Sequence, residues 1–201
     1  FSSISERLGP SQTVDWLSGV MGEFSSIVIE SGGVLVDYTG DELLAMWGAP
    51  NHQPDHARLA CRAALEMMES LEDLNQYWQP KVEAETCVGI GINTGEALVG
   101  NIGTHRKFKY GPLGTTVNLA SRVQGATKYL KTSLLITGNT TAKLGDDFRT
   151  RRLCQVKVRN IMEPVDLYEL APNQVDQEWT RQARQYEKAL GLFEKNRLRD
   201  S

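Results

Sequence analysis

Residues 32–50 read GGVLVDYTGDELLAMWGAP. Two apolar runs, VLV at 34–36 and LLAM at 43–46, flank a polar turn that contains Gly40 and Asp41. Glycine permits a positive φ and an acid in a turn hydrogen-bonds its own backbone, so this pattern predicts two short strands joined by a tight turn. Asp37, Asp41 and Glu42 either solvate the turn or bind a ligand, and the rest of the chain bears on that choice.

Helices and strands alternate on both sides of this hairpin. A helix is predicted over 11–33, with Ser11 as cap candidate and Gly32–Gly33 as its end, and the strongest helical pattern follows at 54–78. This order predicts an α/β or α+β sandwich with helices packed on a sheet. The other predicted elements are a strand at 87–95 leading into 96–103, a polar loop at 104–112 (THRKFKYGP), a helix at 114–127, a strand at 133–138, a short helix at 139–147, and strands near 149–158 and 164–170.

Composition and charge exclude several classes of function. The 201 residues are 40% apolar and 23% charged, which is typical of a globular protein. A net charge of −3 gives no reason to expect nucleic acid as a partner. Cys61, Cys87 and Cys154 are widely spaced, which predicts reduced thiols rather than disulfides or a zinc site, and three scattered histidines show no metal-ligand spacing. No segment is apolar enough to span a membrane, and a chain that starts with Phe1 is expected to be a fragment.

The last 30 residues, 172–201, form a helix-prone extension to the domain predicted over 1–171. Its apolar residues recur at steps of four and three, which is a heptad-like stripe. A terminal helix that packs on its own domain is the simpler interpretation, and a dimer-forming or signal-transmitting helix is the alternative. The stripe residues are Trp179, Ala183, Tyr186, Leu190 and Phe193.

The stretch TVNLASR at 116–122 places two polar side chains on one helix face. Asn118 and Arg122 are four residues apart and therefore one turn apart. A guanidinium beside a carboxamide suits a developing phosphoryl charge and a ribose or ring oxygen. Exposed pairs of this kind are common, so the spacing alone does not establish a site.

Several motifs taken together in order resemble a known family. GGVLVDYTGDELLAMWGAP is followed by VGIGINTGEALVGNIG at 88–103, then LGTTVNLASR at 113–122, and EPVDLYEL at 163–170. Over residues 1–171 the chain closely resembles the catalytic domain of class III nucleotidyl cyclases. The resemblance implies a ferredoxin-like βαββαβ fold, with helices packed on a mixed, mainly antiparallel sheet.

The resemblance also implies a reaction and an assembly. Such domains form head-to-tail homodimers whose active sites lie in the interface, and two Mg²⁺ or Mn²⁺ ions bridge two Asp carboxylates and the triphosphate. The ribose 3′-hydroxyl attacks the α-phosphorus in line and pyrophosphate leaves, so positioning and charge neutralisation do most of the catalysis. Sensory modules often precede these domains, and we expect a cytoplasmic location with membrane attachment of the parent protein left open.

The residues that match the family motifs acquire expected roles. Asp41 matches the second metal-binding Asp, Asn118 the residue that orients the ribose, and Arg122 the one that stabilises charge in the transition state. Arg159 occupies the place of a Lys that meets the distal phosphates, and its guanidinium keeps that charge. The family's other metal-binding Asp is expected four positions before Phe1, outside this chain.

Two positions depart from the family's pattern of base recognition. Position 37 is usually Lys in adenylyl cyclases and Glu in guanylyl cyclases, and here it is Asp37. The partner position, seven before Asn118, is usually Asp or Thr in adenylyl cyclases and often Cys in guanylyl cyclases, and here it is Gly111. A substrate preference therefore has to be argued from chemistry.

The hydrogen-bonding edges of the two purines favour GTP as the substrate. Guanine presents N1–H and the 2-amino group as neighbouring donors, whereas adenine presents N1 as an acceptor. The carboxylate of Asp37 only accepts, so it suits guanine and opposes adenine N1. Gly111 carries no side chain to accept from the adenine amino group, and we expect it to leave room for a contact to guanine O6. The alternatives are an adenylate cyclase that uses ATP and a degenerate, non-catalytic cyclase-like regulatory domain.

Overall fold

The computed structural model describes residues 2–158, 161, 163–172 and 176–197. Helices and strands form two compact units. One contains the chain up to Val88 together with Leu98–Leu113, and the other contains Gly89–Ala97 together with the chain from Gly114 onward. In chain order the elements are α1 (Ser2–Ser5), α2 (Pro10–Glu30), β1 (Val34–Thr39), β2 (Glu42–Met46), α3 (His56–Val82), β3 (Ile90–Ile92), β4 (Leu98–Thr104), β5 (Lys107–Leu113), α4 (Thr115–Leu130), β6 (Leu134–Thr137), α5 (Gly138–Thr141), β7 (Thr150–Val156), β8 (Val165–Leu170) and α6 (Gln177–Arg197).

The first unit is organised around the two long helices α2 and α3, which pack against each other. The buried residues of α2 recur at helical spacing, and most of those on α3 are small, which lets the two helices approach closely. Trp16 of α2 is buried, and its indole N–H donates to Thr86 Oγ1 at 3.1 Å. The buried residues of α2 are Trp16, Val20, Phe24, Ile27 and Val28.

Two antiparallel hairpins complete this unit. β1 pairs with β2, as the sequence predicts, and β5 lies beside β1. β4 pairs with β5 from Leu98↔Leu113 to Thr104↔Lys107, so the segment 104–112 that was predicted to be a polar loop is mostly a strand. That prediction was wrong because most of β5 is exposed and has no apolar stripe, although aromatic and basic residues alternate in KFKY at 107–110 with the period of a strand.

The second unit contains a four-stranded sheet in the order β3-β6-β8-β7. β3 and β6 are parallel, whereas the β6–β8 and β8–β7 pairs are antiparallel, and α4 packs against β3 and β6. Helices packed on a mixed, mainly antiparallel sheet were predicted from the sequence, and the prediction is confirmed. The core of this unit consists of Leu119, Val123, Leu135, Leu153 and Leu167.

The C-terminal helix α6 packs against β7 of its own chain. Ala183 is buried in this contact, and the Tyr186 hydroxyl donates to the Leu153 carbonyl at 2.7 Å. This arrangement agrees with the simpler interpretation of the heptad-like stripe. The boundary predicted between residues 171 and 172 stays a prediction.

Other expectations for local structure had mixed outcomes. α2 begins at Pro10 with Gly9 as its N-cap, so Ser11 is not the cap. The strand predicted over 87–95 is restricted to β3. All three cysteines are free in the structure. Within the described residues, no helix combines the length and the hydrophobicity that crossing a membrane requires.

Candidate functional site

Asp41 lies at the tip of the β1–β2 hairpin. Thr39 pairs with Glu42, so Gly40 and Asp41 form the two-residue connection, and Gly40 has φ +64°. The Asp41 side chain is exposed and forms no hydrogen bond or ion pair with any residue that the structure describes. An uncommitted carboxylate on a rigid tip suits a hard divalent cation such as Mg²⁺.

Asp41 is the metal ligand that the sequence motifs predict in this hairpin. No group of three or more His, Cys, Asp or Glu side chains in the described part of the chain could hold a metal ion. The expected role of Asp41 as one of two metal-binding carboxylates stays a prediction.

Asp37 is bound to a lysine that the sequence analysis did not single out. Its Oδ2 atom lies 2.5 Å from Lys109 Nζ, and its Oδ1 atom accepts a hydrogen bond from the Tyr38 backbone N–H at 3.0 Å. The hydrogen bond from Lys109 lowers the pKa of Asp37 and outweighs the opposing effect of burial, and the charge of Lys109, the Tyr38 N–H and the charge of Lys107 lower it further. Asp37 is consequently an ionised acceptor with a cation held beside it.

Gly111 is buried and leaves no open space at its position. A Cβ atom at residue 111 would lie 2.6 Å from Cγ1 of Val36, which is closer than carbon atoms approach. Val36 lies at a β-bulge between the pairs Leu35↔Ala45 and Asp37↔Leu44, and bulges redirect side chains. The expectation that Gly111 leaves room for the base is therefore corrected, because Val36 occupies the space beside it.

Asn118 and Arg122 both lie on α4, four residues apart, and both are exposed. Their placement follows from the adjoining residues Leu119 and Val123, which are 7% and 2% exposed and direct the opposite face of the helix into the core. Neither Asn118 nor Arg122 has a side-chain partner among the residues described by the structure. The shared face predicted from their spacing is confirmed, and both groups are uncommitted.

Two features hold the beginning of α4 in place. A Cβ atom at Gly91 of β3 would lie 2.2 Å from the Gln124 backbone nitrogen, so the glycine allows the strand and the helix to be in direct contact. In the first turn, Thr116 Oγ1 donates to the Glu96 carbonyl at 2.6 Å, and Asn93 Nδ2 donates to the Thr116 carbonyl at 3.0 Å. The polar face of α4 therefore stands on a rigid support, as a functional site requires.

The candidate residues fall into two groups. Asp37, Asp41 and Gly111 belong to the first unit, together with Lys109, and Asn118 and Arg122 belong to the second. Arg159 lies outside the described residues. Lys109 was missed because it lies in the segment predicted as a loop, and the alternation in KFKY is the signal that could have identified it.

Comparison with known proteins identifies relatives over most of the chain. The family described as the adenylate and guanylate cyclase catalytic domain matches residues 1–171. Adenylate cyclase 1 of Rhizobium meliloti is 36% identical over 170 residues, which are 85% of this chain and 26% of that protein. The chain thus spans about a quarter of that relative's length.

Two solved structures have the same fold. The guanylyl cyclase Cya2 superposes with a TM-score of 0.77 at 32% identity, covering 88% of both chains. The adenylyl cyclase CyaB from P. aeruginosa superposes with a TM-score of 0.78 at 27% identity, covering 88% of this chain and 89% of its own. These similarities confirm the class III cyclase fold that the sequence motifs predict.

Proposed function

The chain belongs to the adenylate and guanylate cyclase catalytic domain family, and we propose that it converts GTP to 3′,5′-cyclic GMP with release of pyrophosphate. The observation that carries the cyclase activity is the exposed, uncommitted pair Asn118 and Arg122 on α4. A carboxamide and a guanidinium one turn apart are suited to a ribose and a transferring phosphoryl group.

The proposed reaction is an in-line displacement. The ribose 3′-oxygen forms a bond to the α-phosphorus and loses its proton, while the bond to the bridging oxygen of the β-phosphate breaks and pyrophosphate leaves. Asn118 orients the ribose, and the Arg122 guanidinium donates to oxygens around the α-phosphorus, where negative charge grows. Arg159 is proposed to neutralise the distal phosphates.

Asp41 is proposed to hold the metal ions. Its uncommitted carboxylate is a hard oxygen ligand, which Mg²⁺ and Mn²⁺ both accept. When bound, divalent ions would neutralise charge on the triphosphate and its leaving group. The expected partner ligand is the Asp proposed to precede Phe1.

The proposed active unit is a homodimer in which each active site takes residues from two copies. Asn118 and Arg122 of one copy would act on the nucleotide whose metals are bound by Asp41 of the other. We place this catalytic domain in the cytoplasm, which agrees with its free cysteines.

The preference for GTP is supported by the acceptor at position 37. An ionised carboxylate complements guanine N1–H and the 2-amino group, whereas adenine N1 would face it with a lone pair. The similarity to the guanylyl cyclase Cya2 agrees with this choice. ATP is the second candidate, because the Rhizobium relative and CyaB are named adenylate cyclases.

The test is a nucleotide-preference assay on the full-length protein with Mg²⁺ or Mn²⁺. We expect more cyclic GMP than cyclic AMP at equal GTP and ATP, with one pyrophosphate released per cyclic product. Asp41→Asn should lower turnover by about 100-fold or more, because a metal ligand supplies several kcal/mol of charge stabilisation. Glu42→Gln is the matched control, since it removes the neighbouring acid of the same turn, and it should have little effect.

Two outcomes would contradict the proposal at different levels. Cyclic AMP production equal to or above cyclic GMP production would overturn the choice of base. Tight nucleotide binding without any cyclic product would instead support a non-catalytic regulatory domain.

A further inference from the structure

The ion pair between Asp37 and Lys109 includes the residue that is proposed to recognise the purine base, Asp37. Lys109 Nζ is 2.5 Å from Asp37 Oδ2, and the two side chains are 51% and 37% exposed. An ion pair this accessible to water contributes little to folding stability. A contribution to folding stability therefore does not explain why these two side chains are paired.

Neither group is saturated by its contacts with the residues that the structure describes. Asp37 accepts one hydrogen bond at each carboxylate oxygen, from Lys109 and from the Tyr38 backbone, and each oxygen retains a second acceptor site. Lys109 carries three donors, and one of them is used by Asp37. The pair thus offers two free acceptor sites beside two free donors.

The strand period places Lys109 on the face that Gly111 leaves without a side chain. Successive side chains of a strand point to opposite faces, so residues 109 and 111 of β5 share one face. Val36 fills the space in which a side chain at 111 would lie. On this face of β5, a side chain therefore contacts Asp37 from position 109 and not from position 111.

The free groups match the complete polar edge of guanine. Guanine presents O6 as an acceptor, followed by N1–H and the 2-amino group as two donors. A lysine ammonium satisfies the first, and a carboxylate satisfies the second and third through its two oxygens. The same pair would form at most two hydrogen bonds with adenine, through N1 and the 6-amino group, and only with the base turned so that N1 faces the lysine.

We propose that Lys109 is a specificity-determining residue that donates to guanine O6, while the Asp37 it contacts accepts from N1–H and the 2-amino group. This inference rests on the proposed cyclase function and identifies the group that recognises its substrate. Asp37 also positions the lysine, because the two side chains are joined by an ion pair. Lys109 replaces the contact to O6 that the sequence analysis expected at Gly111.

The decisive variant is Lys109→Met in the full-length protein, which removes the ammonium and keeps the length of the side chain. Loss of a hydrogen bond from a charged donor should lower kcat/KM for GTP by roughly 10- to 100-fold. The value for ATP should change little, so the GTP-to-ATP ratio falls by nearly the same factor. Lys107→Met is the matched control, because Lys107 lies on the same strand face without a hydrogen bond to Asp37, and its ratio should stay at that of the parent protein.

Inosine triphosphate separates the two parts of the pair, because it retains O6 and N1–H and lacks the 2-amino group. Lys109→Met should penalise inosine triphosphate and GTP equally. Asp37→Asn should penalise GTP more strongly than inosine triphosphate. Equal losses for GTP and ATP in Lys109→Met, or no change in either, would overturn the proposal, and a loss confined to ATP would show that the pair reads adenine in the opposite orientation.

Binding measurements distinguish a failure of this inference from a failure of the cyclase proposal. The nucleotides 3′-deoxy-GTP and 3′-deoxy-ATP lack the attacking hydroxyl, so their affinities report base recognition without turnover. Suppose that no cyclic product forms but Lys109→Met selectively weakens the binding of 3′-deoxy-GTP. Base recognition by the pair is then supported, and the proposed catalytic function is contradicted. If 3′-deoxy-GTP binds no better than 3′-deoxy-ATP, the inference itself is overturned.

Discussion

Arg152 on β7 and Arg122 on α4 belong to the same unit and have opposite surroundings. Arg152 donates through Nε and Nη2 to Asp166 and through Nη1 to Glu194, at distances of 2.6–3.1 Å. These contacts raise the pKa of its guanidinium above the ordinary value and connect α6 to the sheet. Arg122 has none of these contacts within the described residues, and its donors face solvent.

Lys109 lies between these two extremes, because one of its three donors is used by Asp37. The number of free donors on a cation therefore distinguishes Arg152, which is saturated by contacts within the fold, from the cations that we propose to act on the nucleotide. A saturated guanidinium stabilises the fold, whereas an unsaturated one on a rigid element is available to a substrate.

The largest effect is expected from Arg122→Ala. Removal of the donor that we propose to meet the developing phosphoryl charge should lower kcat by about 100- to 1000-fold, while nucleotide affinity changes little. Lys128→Ala is a suitable control, since it removes an exposed cation from the same helix. A defect in binding alone would show that Arg122 stabilises the bound substrate and not the transition state.

Mixing two inactive variants tests whether each active site takes residues from two copies of the chain. In a shared-site dimer, a heterodimer of Asp41→Asn and Arg122→Ala contains one active site with both native residues. Activity should therefore return when the two proteins are mixed and allowed to exchange partners. Failure of the mixture to recover activity, with heterodimers demonstrated, would place both residues of a site on one copy.

Arg152→Met should change stability and leave base selectivity unaltered. Loss of the contacts to Asp166 and Glu194 is expected to cost about 1 kcal/mol of unfolding free energy, the upper range for partly exposed ion pairs. Urea denaturation measures this change. Arg181→Met is the comparison and should have almost no effect, because among the described residues Arg181 forms its ion pair with Glu178 of its own helix. A change in the GTP-to-ATP ratio of Arg152→Met would contradict the distinction.

The smallest effect concerns the titration of Asp37. Lys109 holds the pKa of Asp37 below its ordinary value of 3.8, so the folded state favours the ionised carboxylate. The stabilising contribution is therefore present above the unfolded-state pKa and is lost as the pH falls through the folded-state pKa. Carbon NMR should find a depressed pKa for Asp37 that rises toward its ordinary value in Lys109→Met. The ratio of the kcat/KM values for GTP and ATP should stay constant between about pH 6 and 8.

Residues with a strong local signal were predictable from the sequence. The turn at Gly40 and Asp41 combines a glycine with an acid between two apolar strands, and the helical spacing of Asn118 and Arg122 directly predicted their shared face. Both signals act over only a few residues, so no tertiary information was required. The loop prediction for the segment 104–112 was wrong because the segment becomes a strand by pairing with β4, and it has no buried face that the sequence could reveal.

The order of motifs along the chain determined the family, the mixed α/β fold and the residues proposed to act on the nucleotide. Only the tertiary structure showed that Lys109 pairs with Asp37 and that Val36 fills the space beside Gly111. Residues 37 and 109 are separated by 72 positions, and their contact depends on β5 lying beside β1. A contact of that kind leaves no local pattern in the sequence, because it is created by the packing of elements distant along the chain.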